Sequence, residues 1–258
     1  ESVMSKTLEL GTGVNGTGAA GRLAKPTKSA KEQISVQPLR QAIMTIPIVG
    51  ETPLKILRFS RKKQQQVQDT QEAGEQAKTK KKRQPKDFEQ EYQDAKYLCT
   101  VREKNKSVTW LGLNATGIRN GCIETCRVAG FVMTKAKMSI FCLADGYDDL
   151  DKTPLVRIIG EPEMSIDPVR NANGSIDLRP RVMFADWKMN VRIRFDEDQF
   201  SPSDVLNLMI RVGQQNGLGE GRPNSTNGNG TGCGLFLVNA EDCKLERLST
   251  KPIMFEAG

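Results

Sequence analysis

Residues 187–238 read WKMNVRIRFDEDQFSPSDVLNLMIRVGQQNGLGEGRPNSTNGNGTGCGLFLV, and this run contains the patterns of a strand, a helix, a glycine-rich loop and a second strand in that order. Apolar and polar residues alternate at its start, which is the period of a strand with one buried face. The apolar positions of this strand are Trp187, Met189, Val191, Ile193 and Phe195. The basic positions between them are Lys188, Arg192 and Arg194. The pattern therefore predicts a strand with a core-facing row and a basic row on its other face.

A helix is predicted directly after this strand. Ser201 is a typical N-cap, and Pro202 suits the first helical position. Apolar residues then recur at helical spacing, at Val205, Leu206, Leu208, Met209 and Val212. The helix is expected to end between Gly213 and Gly217, and the apolar run at 234–238 predicts the second strand.

The loop between that helix and the second strand is rich in glycine, and it begins GLGEGRP at residues 217–223. Glycine lets the backbone approach another backbone or a phosphate closely, and it leaves N–H groups able to face anions. The loop is not a dinucleotide fingerprint, because that motif opens a helix after a strand, and it lacks the lysine and serine of a Walker motif. A flexible connector is an equally good interpretation of this composition.

This segment resembles the C-terminal half of the RAMP proteins, the RNA-binding modules of CRISPR effector complexes whose fold is related to the RNA-recognition motif. Their signature is a glycine-rich loop between the last helix and the last strand. It is matched here by Gly217, Gly219, Gly221, Gly232 and Gly234. The resemblance implies a ferredoxin-like fold, and it covers only this part of the chain.

A second, wider likeness spans Leu39 to Val238. The motifs PLVRI (154–158), PVRN (168–171) and GLGEGRP (217–223) are similar to those of a family of uncharacterised bacteriophage and prophage proteins. This likeness implies a phage-encoded protein that acts in a bacterial host cell, but it supplies no activity.

The composition favours a partner with negative charge. The 258 residues are enough for one large or two small domains, and 38 Lys and Arg residues against 31 acidic residues give a net charge of +7. Net charge alone is equally consistent with a basic protein that has no polyanionic partner, so the positions of the charges must be considered. Only 37% of the residues are hydrophobic and 5% are aromatic, so part of the chain is expected to lie outside a packed core.

The lack of histidine argues against an enzyme. The sequence contains none, which removes the commonest general base, the Ser-His and Cys-His pairs and most metal sites. The six cysteines show no C-x-x-C spacing, and Cys122 and Cys126 are interpreted as buried free thiols on a helix. One loop is acidic, but its aspartates do not have the spacing of the ligands in a calcium-binding loop. They are Asp145, Asp148, Asp149 and Asp151. We therefore predict no metal, no cofactor and no catalytic residue.

Residues 1–35 are rich in Gly, Thr, Ala, Ser and Lys, and we expect them to form a disordered, flexible arm. Residues 36–258 are expected to form a single domain, with a charged insertion at about 60–97 that lies outside the core. The sequence shows no secretory signal and no long apolar run. A soluble cytoplasmic protein with reduced thiols and no membrane partner is therefore expected.

Further elements are predicted between the first apolar run and the basic strand. Residues 39–49 have apolar side chains on both faces, as in a central strand that is buried on two sides. The other predicted elements are strands at 108–113, 138–143 and 155–159, a helix at 117–129 and a protruding hairpin at 164–181. The hairpin carries Arg170, Arg179 and Arg181 on its two arms.

We expect nucleic acid to contact the hairpin, the basic strand and the glycine loop. The predicted contact residues are Arg170, Arg179, Arg181, Lys188, Arg192, Arg194, Gly219, Gly221 and Arg222. A row of arginines on a sheet suits a phosphate backbone, and Arg222 beside glycines suits a phosphate clamp. Aromatic platforms are not evident, so sequence-specific base stacking is not expected.

Together these features predict an α+β protein with a ferredoxin-like, RAMP-like antiparallel sheet and few helices. Its predicted function is to bind the backbone of single-stranded RNA or DNA without catalysis, and to assemble along the strand as a homo-oligomer or filament. Three alternatives stay open. They are a recombination or strand-annealing accessory factor, a virion or assembly structural protein, and a histidine-free endoribonuclease that uses Tyr, Lys or Arg.

Overall fold

The computed structural model describes residues 38–58, 68, 72, 86–103, 106–170, 174–225 and 230–248. The expected arm at 1–35 and the greater part of the expected insertion at 60–97 lie outside these residues. Within the described ranges the protein is α+β, and its strands pair in antiparallel fashion. The coarse fold class predicted from the sequence is thus confirmed.

The described residues contain twelve strands and four α-helices. The strands are β1 (Gln41–Gly50), β2 (Leu54–Ile56), β3 (Leu98–Glu103), β4 (Lys106–Asn114), β5 (Ile140–Leu143), β6 (Gly146–Tyr147), β7 (Pro154–Arg157), β8 (Pro162–Arg170), β9 (Ile176–Phe184), β10 (Lys188–Asp196), β11 (Phe236–Val238) and β12 (Lys244–Arg247). The helices are α1 (Phe88–Asp94), α2 (Ala115–Val128), α3 (Met133–Ser139) and α4 (Pro202–Arg211). A π-helix (Val212–Asn216) continues α4.

The main sheet is built around β1. Its strands lie in the order β11-β1-β10-β5, and β12 pairs with β1 on the same side as β11. Along the chain, the strands of the main sheet and the two longer helices packed on it follow one another as β1, α2, β5, β10, α4, β11 and β12. The strands of the smaller sheets are inserted between them. The main sheet therefore brings together segments from both ends of the described chain.

One face of the main sheet is buried beneath helices. Its buried rows are Ala42, Met44, Ile46 and Ile48 on β1, and Met189, Val191, Ile193 and Phe195 on β10. They belong to one core cluster with residues of α2 and α4, including Ile118, Cys122, Val205 and Met209. The prediction that residues 39–49 are buried on both faces is wrong, because the alternate side chains of β1 are half-buried and Val49 is exposed.

The strand and helix predicted in residues 187–212 are confirmed. Ser201 and Asp204 form a capping box at the start of α4, in which the Ser201 hydroxyl accepts a hydrogen bond from the Asp204 backbone N–H at 3.2 Å. The Asp204 carboxylate in turn accepts one from the Ser201 backbone N–H at 2.9 Å. Gly217, with a φ of +68°, ends the π-helix that follows.

Two smaller sheets complete the described fold, in the orders β2-β9-β8 and β3-β4-β7-β6. The predicted hairpin is confirmed as β8 and β9, which pair along their whole length. Backbone hydrogen bonds of 2.9 Å between Ile159, two residues after β7, and Lys188 connect this segment to the start of β10. The main sheet is thereby joined directly to its neighbour.

Three local features differ from the sequence-based expectations. The strand predicted from residue 138 begins at Ile140, because the residues before it form α3. The strand β3 is not anticipated by the sequence patterns. In α1 and just after it, Tyr92 and Ala95 are buried in the main core, so the end of the expected insertion packs on the domain. Within the described ranges, no helix is long and apolar enough to cross a membrane.

Candidate nucleic-acid interface

The outer face of the main sheet, opposite the helices, carries the predicted basic row. Lys188 and Asn190 are exposed there, and Arg192 and Arg194 are half-buried. The alternation with the buried residues of β10 is as predicted, since side chains at every second position of a strand share a face. Three predicted contact residues, Lys188, Arg192 and Arg194, therefore lie on one surface.

Arg194 lies over an aromatic ring on the neighbouring strand. It is the register partner of Phe141 in β5, and its guanidinium carbon is 5.0 Å from the ring centre. Arg119 of α2 approaches the same ring at 5.0 Å and donates a hydrogen bond from Nε to the carbonyl oxygen of Ile140 at 2.9 Å. Within the described part of the chain, Nε of Arg194 is buried and has no hydrogen-bond partner. Two cations and one ring thus form a compact group at the β5 side of the sheet.

Arg192 is held in place by protein groups. Its Nη2 atom donates to the carbonyl oxygen of Ala144 at 2.7 Å and lies 3.1 Å from the Asp145 carboxylate. The other oxygen of Asp145 accepts a hydrogen bond from the backbone N–H of Arg157 at 3.0 Å. Arg192 therefore ties β10 to the turn between β5 and β6, and part of its charge is already balanced.

The glycine loop packs against β2. Glu220 donates its backbone N–H to the carbonyl oxygen of Lys55 at 2.8 Å, and Leu218 is buried beside it. A Cβ at Gly219 would lie less than 3.0 Å from the Lys55 carbonyl oxygen. The close backbone approach that requires glycine at this position is therefore an approach to the protein's own β2.

Gly221 has a second internal neighbour. A Cβ at this position would lie less than 3.0 Å from the Thr231 hydroxyl oxygen, and the Gly221 carbonyl accepts a hydrogen bond from the Cys233 backbone N–H at 3.1 Å. Arg222 donates from Nη1 to the carbonyl oxygen of Gly219 at 3.1 Å. These internal contacts explain why glycine is required at positions 219 and 221 without a bound phosphate.

A cleft of about 240 Å³ lies between this loop and the start of α2. Arg222 lines it together with two carboxylates, those of Glu124 and Glu220. Tyr97 also lines it, and burial raises the pKa of that phenol above its ordinary value. Glu220 is paired with Arg181, and Glu124 lines the cleft together with Arg222, so the cleft has no excess of positive charge and does not offer the electrostatics of a phosphate site.

The arginines of the hairpin are engaged with carboxylates. Arg181 is 6% exposed, and its guanidinium lies 3.4 Å from Glu220 and 3.8 Å from Asp167. Burial and pairing give Arg181 a structural role in place of the predicted contact with nucleic acid. Arg179 is half-buried, 3.3 Å from Asp177. Arg170 ends β8, and its side chain lies outside the described residues.

The acidic loop uses its carboxylates to hold the backbone. Asp148 is buried and accepts hydrogen bonds from the backbone N–H groups of Leu98, at 3.0 Å, and Asp151, at 3.1 Å. Asp149 accepts from the backbone of Thr100 at 3.0 Å. Within the described ranges, no cluster of three or more His, Cys, Asp or Glu residues could hold a metal ion.

The thiols predicted to be buried lie in the main core. Cys122 and Cys126 are each 1% exposed and carry free thiols. Burial raises the pKa of Cys126 to about 11 and raises the pKa of Cys122 as well. A raised pKa keeps the thiol protonated and poorly nucleophilic, so neither residue has the character of a catalytic cysteine.

No protein-family model matches the sequence, and no curated protein matches it. The likenesses to RAMP proteins and to phage proteins stay predictions.

Three residues of this region are missed by the sequence patterns. Phe141 and Arg119 lie in separate elements, and only the register of β5 with β10 brings the ring to Arg194. Arg157 is noticed only as part of the PLVRI motif. The one available signal is the alternation of Phe141 with the residues on either side of it in a short strand.

Proposed function

We propose that the protein binds a single nucleic-acid strand on the outer face of its main sheet, through contacts to phosphates and without catalysis. The strand order β11-β1-β10-β5, with α2 and α4 against one face, supports a ferredoxin-like fold. RNA-recognition motifs use a four-stranded sheet of this kind as their binding surface. The fold thus supplies a reason to look for the ligand on the face opposite the helices.

The observation that carries the proposal is the basic row of β10 beside Phe141. Lys188 is exposed and makes no ion pair with any described residue. Arg194 lies over the ring of Phe141, which supports one side of a planar guanidinium that can contact a phosphate or stack on a base. Such a contact provides no code for base identity.

Acidic residues restrict where the strand can pass. The pairing of β12 with β1 places Lys244 beside Thr45 and Glu246 beside Ile43 on the outer face, so charges of both signs meet there. Arg192 is partly balanced by Asp145. We therefore expect the phosphates to follow the β10 and β5 side of the sheet, where Lys188 and Arg194 lie.

The experiment is a titration of labelled oligothymidylate and oligouridylate, followed by fluorescence anisotropy over a range of salt concentrations. The test variant is the double substitution Lys188→Ala with Arg194→Ala. The matched control is Lys135→Ala with Arg211→Ala, which removes two exposed cations from α3 and α4 and changes the net charge equally. Longer strands in the same titration report the stoichiometry, and hence whether copies assemble along the strand.

Each contact between a cation and a phosphate contributes about 0.7 to the slope of log affinity against log salt for a single strand. The test variant should therefore lose about 1.4 units of slope, and the control variant should keep the wild-type slope. Equal slopes for the two double variants would contradict the proposed surface. A wild-type protein that binds neither oligonucleotide at low salt would contradict the function itself.

A further inference from the structure

The outer face of the main sheet continues onto the neighbouring sheet at Ile159. This residue and Lys188 exchange both backbone hydrogen bonds at 2.9 Å, so their side chains lie next to each other on the same face. On its other side Lys188 is paired with Val49 of β1. Arg157 lies two residues before Ile159 and shares its face, because side chains alternate along an extended segment. One surface therefore leads from Val49 past Lys188 to Ile159 and Arg157.

A groove of about 350 Å³ opens on this continuation. Trp110 and Ile159 contribute apolar groups and Arg157 a cation on the side of the sheet that carries Lys188. Leu98, Thr109 and Leu111 line the groove from the opposite side, because Leu98 is paired with Leu111, whose carbonyl accepts a hydrogen bond from the buried Ile158. Ile159 is 52% exposed, so a large aliphatic side chain is open to solvent on the Lys188 side of the sheet. Among the described residues that line the groove, none is acidic. Its volume is within the range of about 300–1,000 Å³ that is typical of small-molecule sites.

The groups in and beside this groove match the parts of a nucleotide. The aliphatic side chain of Ile159 can cover the face of a base. Arg157 and Lys188 can neutralise a phosphate, and neither makes an ion pair with a described residue. The hydrogen bond from the Arg157 backbone to Asp145 fixes the strand and leaves the guanidinium available.

We infer that this groove holds one nucleotide of the bound strand, with its base against Ile159 and its phosphate at Arg157 and Lys188. The inference rests on the proposed function, and it adds a base-binding site to a surface otherwise suited to phosphates. Two features carry it, the exposed apolar groove with its neighbouring cations and the continuity of this surface with the basic row of β10. Because the base is held mainly by apolar contact, DNA and RNA strands are both accepted and base identity matters little.

The experiment compares two isoleucines in the full chain. Ile159→Ser removes an exposed isoleucine from the groove, and Ile176→Ser removes one that is 69% exposed on β9. The probes are oligothymidylate and an abasic oligomer that has the same phosphates but no bases. Ile159→Ser should weaken binding of oligothymidylate by about fivefold to tenfold and leave binding of the abasic oligomer unchanged. Ile176→Ser should change neither affinity.

A second pair of variants tests the phosphate contact. Arg157→Ala should weaken binding of both probes and lower the salt slope by about 0.7, because it removes one cation from the site. Arg102→Ala removes an exposed arginine from β3 and should leave both affinities unchanged.

The results separate this inference from the proposed function. Equal affinities of the two serine variants for oligothymidylate overturn the base site, even when the Lys188 and Arg194 double variant binds weakly. An equal loss of affinity for both probes on Ile159→Ser also overturns it, because contact with a base could not then be the cause. If wild-type protein binds neither probe, the proposed function fails and the groove inference fails with it.

Discussion

The carbonyl oxygen of Lys55 occupies the space in which a side chain at Gly219 would have to begin. An ideal Cβ at Gly219 would lie less than 3.0 Å from this oxygen, and the φ of the glycine is +72°. The next residue, Glu220, is hydrogen-bonded to the same carbonyl at 2.8 Å. Glycine is therefore required at 219 both by backbone conformation and by the packing of the loop on β2.

Gly219→Ala should destabilise the protein more than Gly130→Ala. Both glycines have a positive φ, so each alanine costs about 1–2 kcal/mol for its conformation alone. Nothing lies within 4 Å of a Cβ at Gly130, whereas Gly219→Ala must also displace β2, which costs about 1–3 kcal/mol more. Urea unfolding measures both free energies. Equal losses would show that the loop does not pack on β2 in this way.

Arg181 and Lys188 should show opposite effects on stability and binding. Arg181→Ala removes a buried guanidinium from Asp167 and Glu220 and should lower the free energy of unfolding by about 2 kcal/mol. Its affinity for oligonucleotides should stay within about twofold of wild type, since the side chain does not reach an open surface. Lys188→Ala should change stability by less than about 0.5 kcal/mol and weaken binding. Thermal unfolding and anisotropy on both variants check this pattern, and a selective loss of binding in Arg181→Ala would contradict it.

The elements that the sequence predicts well are set by residues close together along the chain. The alternation in β10 spans a few positions and directly determines which side chains face the core. Ser201 and Pro202 likewise locate the start of α4, because a cap acts on the first turn of its own helix. Local patterns of this kind predict the folded structure correctly when the tertiary contacts favour the same conformation.

Features that depend on distant partners cannot be predicted in this way. Arg181 is one of several arginines in the hairpin sequence, and only folding brings Glu220 to it. From the sequence alone, Gly219 fits a phosphate-binding loop as well as a packed loop, because no neighbouring residue indicates its contact with Lys55.

The same limit applies to the strands of the main sheet. The apolar residues of β1 fall on both faces, and periodicity alone cannot tell an apolar outer face from a second buried layer. Phe141 is a single aromatic residue in a short strand, and its position beneath Arg194 follows from the register of β5 with β10. The sequence therefore predicts the basic row of the candidate surface but not the aromatic residue beside it.

Ser201→Ala should lower the free energy of unfolding by about 1 kcal/mol, because it removes the hydroxyl that accepts from the Asp204 backbone N–H. Ser203→Ala is the matched control, since Ser203 is exposed in the same turn and has no capping role. Hydrogen bonds from Ser201 lower the pKa of Asp204, so the contribution of the cap is present above the ordinary carboxyl pKa and is lost as the pH falls and Asp204 gains a proton. Urea unfolding at neutral and acidic pH checks both points, and equal losses for the two serines would contradict the capping box.

Cys126 should make the protein less stable as the solution becomes alkaline. Burial raises the pKa of its thiol from 9.0 to about 11, so below pH 9 the thiol is protonated in both the folded and the unfolded chain. Above pH 9 the unfolded chain loses this proton while the folded chain keeps it, and the free energy of unfolding should fall by about 1.4 kcal/mol for each pH unit until the folded thiol also ionises.

Cys126→Ala removes this contribution, so its free energy of unfolding should fall less steeply between pH 9 and 11 than that of wild type. Urea unfolding of both proteins across this range measures the two slopes, and the small cavity left by alanine shifts the variant equally at every pH. Parallel profiles for the two proteins would mean that Cys126 ionises as readily in the folded chain as in the unfolded one.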